Sequence, residues 1–318
     1  MTASIGVAAG ERKSGEDLLR DADVALHEAK LVGNNRIAVF TPEMHTAVVD
    51  RFDLESELRT AVRHGQFFLV YQPIFDLRGL RIKGVEALLR WRHPVRGIVA
   101  PMEFIPTLES SGMIVEVGRW VLAEACRQTR LWHTAGHPVS ISVNASARQF
   151  ESGDLMIDVC SALELSGLDP HFLVIEITES VLMRDPATMA ERLHELKRVG
   201  VSVAVDDFGT GYSSMAYLRQ FPIDILKIDR SFVSDMTESS EGEALVHTQV
   251  QLAKALGLDT VAEGIEEEAQ LTKLQLEECE YGQGFFYARP LEAQDAEQFM
   301  AEKGHMVMDE TAHMMPMN

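Results

Sequence analysis

No apolar run in this sequence reaches the roughly 18–20 residues that a membrane-spanning helix needs. The first residues, MTASIGVAAGERKSGEDLL, lack the basic segment and long apolar stretch of a secretory signal. Cysteine is scarce: Cys126, Cys160 and Cys279 form an odd set without CxxC spacing. That speaks against a disulfide framework or a zinc site and for reduced thiols in a cytoplasmic protein. Positive charge is also short, with 29 Lys and Arg against 49 Asp and Glu, a formal net charge of −20. Such a surplus repels nucleic-acid backbones and argues against a DNA or RNA binder. It leaves room for a small anionic substrate, because bound divalent cations reverse the local sign. No close repeat with a period of 20–50 residues is present, only a recurring strand-then-helix rhythm.

That rhythm begins after residue 65. FFLVYQPIFDL (67–77) and RIKGVEALLRW (81–91) are two apolar runs separated by a short turn with Gly79, which reads as a hairpin. A long helical pattern follows over 102–135, broken at Ser111-Gly112. Further strands are expected at 138–146, 172–180, 201–209, 224–232, 258–266 and 281–288, with helices such as 186–200 and 242–257 between them. Alternation of this kind implies a mostly parallel sheet covered by helices. A doubly wound open sheet gathers its ligands at one switch point, whereas a barrel aims every strand end at one mouth. Here Glu86, Asn144, Glu176, Asp206 with Asp207, Lys227, Glu263 and Gln283 each lie in or just after an apolar run. The expected fold is therefore α/β, a (β/α)8 TIM-type barrel over residues 65–304.

The first 42 residues differ. ASIGVAA, a helix with Leu18, Leu19, Ala22, Ala25 and Leu26 along one face, and a second strand near 36–40 make one β-α-β unit. A unit of that size buries too little surface to be stable alone, so it reads as the end of a larger domain. Residues 43–64 read as a connecting helix. The Met- and His-rich residues 305–318 read as a frayed, flexible tail.

The strand-end groups carry the chemistry. Five carboxylates crowded at one mouth with the amide oxygens of Asn144 and Gln283 repel one another unless cations lie between them, and all-oxygen ligation favours Mg2+ or Mn2+ over zinc. In VSVAVDDFGTG (201–211), Asp206 is expected to face the mouth from the last position of its strand. Asp207, displaced as the strand ends, can reach a neighbouring ion. Two cations about 3.5–4 Å apart are a recurring device for in-line hydrolysis of phosphate esters. Lys227 adds a compact positive charge for the attacking water or the phosphate. Taken singly, each feature is commonplace: an Asp pair caps helices, an FGTG run makes a turn, and an EAL tripeptide occurs by chance. His93, His247 and the three tryptophans, Trp91, Trp120 and Trp132, read as structural. The force of the polar groups is joint, because they recur in order on successive strands.

Glu86-Ala87-Leu88 within GVEALLRWRHP resembles the signature of the EAL-domain phosphodiesterases that hydrolyse cyclic di-GMP. YQPI (71–74), SVNAS (142–146), EITE (176–179), DDFGTGYSS (206–214), LKID (226–229), AEGIE (262–266) and GQGF (282–285) match as well, over residues 52–303. The resemblance implies a barrel with an atypical antiparallel strand near its start and a homodimer. It implies one ion held by Glu86, Asn144, Glu176 and Asp206. A second ion is implied at Asp206 and Asp207, with Glu263 and Lys227 around the catalytic water. Two Mg2+ or Mn2+ ions per site are expected, with Ca2+ inhibitory because it is larger and tolerates looser geometry. Gln72, Arg90 and Gln283 match positions that contact the dinucleotide, Arg90 at a phosphate. Glu179 would anchor the DDFGTGYSS loop, and Glu266 is a further acidic position near it. A binding-only receptor would be expected to lack a ligand or Lys227, and a mere scaffold Arg90 and the glutamines; this chain retains them all. SIGVA and ADVALHEAK…GNNR resemble the last part of a GGDEF (diguanylate cyclase) domain without its signature, so no cyclase activity is expected. Glu278 and Glu280 depart from the family pattern, which commonly has glycine and aspartate there.

Overall fold

The computed structural model describes residues 3–9, 14–31, 35–210 and 218–310. Two compact units are present, one of residues 1–66 with 102–111 and the other of 67–101 with 112–318. In the first, strands β1 (Ile5–Val7) and β2 (Ile37–Val39) pair in parallel and are joined through a helix, Gly15–Leu31. Ala25 and Ala29 of that helix are buried, but Leu19 is 69% exposed, unlike the face expected for it. A 17-residue helix is about 25 Å long and a three-residue strand only about 10 Å. The sheet therefore covers only part of the helix: Leu18, Ala22 and Leu26 are half-buried beside Ala25, and Leu19 lies outside that stripe. Ile5, Val7, Ile37 and Val39 are also exposed. A longer helix, Pro42–Arg63, completes the chain up to the second unit.

The second unit is a closed barrel. Its strands are β3 (Phe67–Asp76), β4 (Ile82–His93), β6 (Ser140–Asn144), β7 (Leu173–Thr178), β8 (Ser202–Phe208), β9 (Ile225–Ile228), β10 (Asp259–Ala262) and β11 (Tyr281–Gly282). They hydrogen-bond in the order β3-β11-β10-β9-β8-β7-β6-β4, and a β3–β4 ladder closes the ring. A short strand, β5 (Gly97–Val99), hangs on the far end of β4. From β4 round to β11 neighbouring strands are parallel, while β3 is antiparallel to both of its neighbours. The hairpin of the first two runs thus supplies the antiparallel strand. The helix broken at Ser111-Gly112 is two helices, Pro101–Ser111 and Ile114–Thr134.

The parallel strands are apolar on both faces because helices cover the outside and side chains fill the inside. Val203, Val205, Leu226, Ile228, Ile141 and Ile175 are all at 0% exposure. Trp91 and Trp132 are fully buried, and Trp132 meets Tyr71 edge-on at 4.8 Å, whereas Trp120 remains 38% exposed. One expected strand is shorter than its apolar run. In 281–288 only Tyr281 and Gly282 pair, and the chain then folds over Ile265, whose carbonyl accepts the Phe286 N–H at 2.9 Å. Gly284 makes this approach possible, since a Cβ there would fall 2.0 Å from Ile265 O. The last helix runs Ala293–Glu310, six residues into the expected tail; residues 311–318 lie outside the described residues.

Candidate active site

The ladder sets the polar groups in a ring. Gln72 on β3 is opposite Glu86 on β4, Asn144 on β6 is opposite Glu176 on β7, Thr178 pairs with Asp206, and Val261 pairs with Lys227. Lys227 sits at the centre, 1% exposed. Its ammonium lies 2.6 Å from Glu176 Oε2, 2.7 Å from Glu263 Oε1, 3.3 Å from Asp206 Oδ1 and 3.7 Å from Glu86 Oε2. Four strands thus send a carboxylate to one lysine from a fifth. Glu86 is held further by Asn144, whose Nδ2 donates at 2.7 Å, and by Gln283, whose Nε2 donates at 2.7 Å. Gln283 Nε2 also donates to Glu263 Oε1 at 3.0 Å.

One ammonium cannot neutralise four carboxylates. Burial pushes the Glu176 carboxyl up to about 8 against the pull of Lys227, with Glu86 and Asp206 adding to the rise. Burial likewise pushes Glu263 up to about 8. The Lys227 ammonium is held well above its ordinary value by Glu176, Glu263, Glu86 and Asp206, which overcome its own burial. Burial and the adjacent Asp206 charge raise Asp207 too. The site is therefore short of positive charge, the condition that bound cations relieve.

The Asp206-Asp207 pair does not lie where the strand stops. β8 continues through Phe208, and its register with β9 shifts between Val205 and Phe208. An extra residue in a strand turns consecutive side chains away from strict alternation. Asp207 accommodates the bulge with a left-handed backbone, φ 55°. One oxygen each of Asp206, Asp207 and Glu263 then lies within 4.8 Å of the others, a group able to hold a cation. The donors are all oxygen, which fits Mg2+ or Mn2+. Gln283, whose Nε2 bonds Glu86 and Glu263, also carries a buried Oε1 with no hydrogen-bond partner among the described residues. Glu179 caps the turn that follows, its Oε2 accepting the Gly209 N–H at 3.0 Å.

The remaining residues lie around this core. Arg90 is half-buried beside Glu86, and its Nη1 donates to Leu89 O at 2.8 Å. Burial lowers its pKa, opposed by Glu86. Gln72 is buried, and Glu266 is exposed, its N–H donating to Gln270 Oε1 at 2.7 Å. Residues 211–214 of DDFGTGYSS lie outside the described residues. The packing of Phe232 and Gln249 against Gly209 had no sequence signal, since both belong to amphipathic helices far along the chain. Glu280 takes a structural role at the opposite end of the barrel wall, accepting the Thr260 N–H at 3.1 Å and its hydroxyl.

A (β/α)8 barrel with a carboxylate-rich, lysine-centred mouth defines the class. The EAL domain model matches residues 55–290, and the chain belongs to that family. It is 40% identical over 303 residues to a protein named cyclic di-GMP phosphodiesterase NbdA and 41% identical over 297 residues to one named bifunctional diguanylate cyclase/cyclic di-GMP phosphodiesterase MucR, both from Pseudomonas aeruginosa. These alignments take in 94% and 92% of this chain but 39% and 43% of the relatives, so the chain spans about two fifths of their length. A solved structure of the PaMucR phosphodiesterase in complex with c-di-GMP aligns with a TM-score of 0.75 at 44% identity, covering 77% of this chain and 99% of that one. The EAL enzyme Bd1971, solved with cAMP and cyclic di-GMP bound, aligns with a TM-score of 0.77 at 32% identity over 80% of this chain and 70% of that one. No helix among the described residues is long and apolar enough to cross a membrane.

Proposed function

We propose that this chain hydrolyses one phosphodiester of cyclic di-GMP, opening the ring to linear pGpG, with two Mg2+ or Mn2+ ions. The observation that carries the reading is the complete set of groups converging on Lys227 from Glu86, Glu176, Asp206 and Glu263. Glu86, Asn144, Glu176 and Asp206 would hold one ion, and Asp206 with Asp207 and Glu263 the second. Bound there, the ions supply a lowered water pKa and neutralise charge on the scissile phosphate. Lys227 holds Glu176 and Glu263 in place and keeps its charge, because its carboxylate neighbours favour the ammonium. Arg90 would meet a phosphate and Gln72 and Gln283 the nucleotide. Chromatography of products after incubation with cyclic di-GMP and Mg2+ tests the activity. Formation of pGpG that stops in excess chelator, and under Ca2+, is expected; unchanged turnover in chelator would overturn the two-ion account.

The reading extends to the N-terminal unit. Residues 1–42 are the last part of a GGDEF domain, 43–64 a connecting helix and 65–304 the phosphodiesterase barrel. The exposed Ile5, Val7, Ile37 and Val39 support a sheet that is normally larger, since two three-residue strands do not make a stable sheet. Without a GGDEF signature the chain makes no cyclic di-GMP from GTP. The barrel forms a homodimer near the DDFGTGYSS loop, and the three free cysteines fit a reducing cytoplasm.

A further inference from the structure

The helix Ser240–Leu256 buries Gly242, Val246, Gln249, Val250 and Ala253. Four of the five are apolar or small, and Gln249 interrupts the stripe. Gln249 is only 7% exposed, and its Oε1 has no hydrogen-bond partner among the described residues. A buried polar atom left in that state is destabilising, because its lost hydration is not replaced. A leucine would fill the same volume without the penalty, so packing alone does not account for a glutamine.

The place it occupies is specific. A Cβ on Gly209 would lie 3.0 Å from Gln249 Nε2 and 3.3 Å from the Phe232 ring. The carboxamide and the ring are therefore the floor under Gly209, while Glu179, at the start of the short helix after β7, accepts its N–H. Gly209 has a φ of 90° and Asp207 one of 55°. Two left-handed residues within three positions make a sharp turn whose shape decides where the Asp207 carboxylate stands. Thr210 closes it, its N–H at 3.3 Å and hydroxyl at 2.8 Å both donating to Asp207 O.

We propose that Gln249 is a positioning residue for the Asp206-Asp207 pair, acting through Gly209 to hold the bulge in which both carboxylates face Glu263. This rests on the proposed cation-dependent reading of the site. The amide presents a polar surface to backbone that an aliphatic side chain would not hold in the same orientation. Gln249→Leu keeps the volume of the stripe and removes the orphan oxygen, while Gln249→Asn keeps the amide and withdraws it by one methylene. Gln251→Leu, on the exposed side of the same helix, is the control.

The test compares Mn2+ binding, followed by paramagnetic resonance of the free ion, with thermal melting and steady-state hydrolysis of cyclic di-GMP. For Gln249→Leu the expected result is at least threefold weaker Mn2+ binding and a several-fold lower kcat. KM should stay within twofold, and the melting temperature should be unchanged or higher. Gln249→Asn is expected to show the same split, and Gln251→Leu to match the wild type. Mn2+ binding by Gln249→Leu equal to the wild type would overturn the proposal, as would a loss of binding that only tracks a lower melting temperature in both Gln249 variants. If the wild type binds Mn2+ without cleaving the nucleotide, the proposed activity fails, and the binding comparison still decides the role of Gln249.

Discussion

Asp207 is a charged residue in a backbone region that side chains rarely adopt, φ 55°, half-buried against another carboxylate. Left-handed backbone costs an ordinary residue about 1–2 kcal/mol, less for Asp and Asn. Asp207→Asn therefore keeps the turn and the volume and removes only the charge. It is expected to lower turnover roughly a thousandfold, the several kcal/mol that lost transition-state charge stabilisation costs. Affinity for cyclic di-GMP should stay close to the wild type. Product chromatography paired with calorimetry at fixed Mg2+ checks both, and near wild-type turnover would show that the adjacent carboxylates are not a two-ion device. Glu278 offers the opposite case. It follows the helix Glu268–Leu276 with φ 59°, where a glycine costs nothing. Its ion pair with Lys254, 2.7 Å, is solvent-exposed and screened, so it adds little. Glu278→Gly should raise the melting temperature by about 1–3 °C, and a fall in a thermal melt would contradict this.

At the scale of elements, most barrel strands are legible because each is an apolar run with a polar group at its end, as in VSVAVDD and LVIEITE. Strand lengths are less legible. The run 281–288 yields a two-residue strand because Gly284 lets the chain cross Ile265, a tertiary contact that alternation cannot encode. The bulge in β8 is hidden for the same reason, since DDF reads as a strand end although the ladder continues to Phe208. The ring of carboxylates and the lysine among them could be proposed from strand ends alone, but the collection of four carboxylates on Lys227 could not, because those contacts join separate strands across the barrel. Gly209 joins these observations in a prediction. Gly209→Ala places a methyl against Gln249 and Phe232 in a left-handed residue. It should weaken Mn2+ binding and activity at least tenfold while the barrel still melts cooperatively. Unchanged Mn2+ binding in a titration would show that the turn does not set the position of Asp207.

At the scale of the whole molecule, the site is a store of unfavourable charge that couples stability to pH and to cations. Glu176 and Glu263 hold their protons up to about 8 in the folded barrel, against about 4.3 for an ordinary glutamate. Between those values the folded state binds more protons than the unfolded one, so stability falls as pH rises. Their contribution is fully present below about pH 4 and is lost as pH climbs through about 8, at up to about 1.4 kcal/mol per pH unit for each proton involved. Divalent ions act on the same carboxylates and favour the ionised form, so ion binding releases protons and strengthens with pH. In chelator, the melting temperature should therefore drop by several degrees between pH 5.5 and pH 8. The rise on adding millimolar Mg2+ or Mn2+ should be at least twice as large at pH 8 as at pH 5.5. A Glu176→Gln variant, whose side chain cannot ionise, should lose much of the pH-dependent drop and bind the first ion more weakly. Scanning fluorimetry across that range decides the matter: an ion-induced rise that is equal at both pH values would mean that these buried carboxyls are not where the cations act.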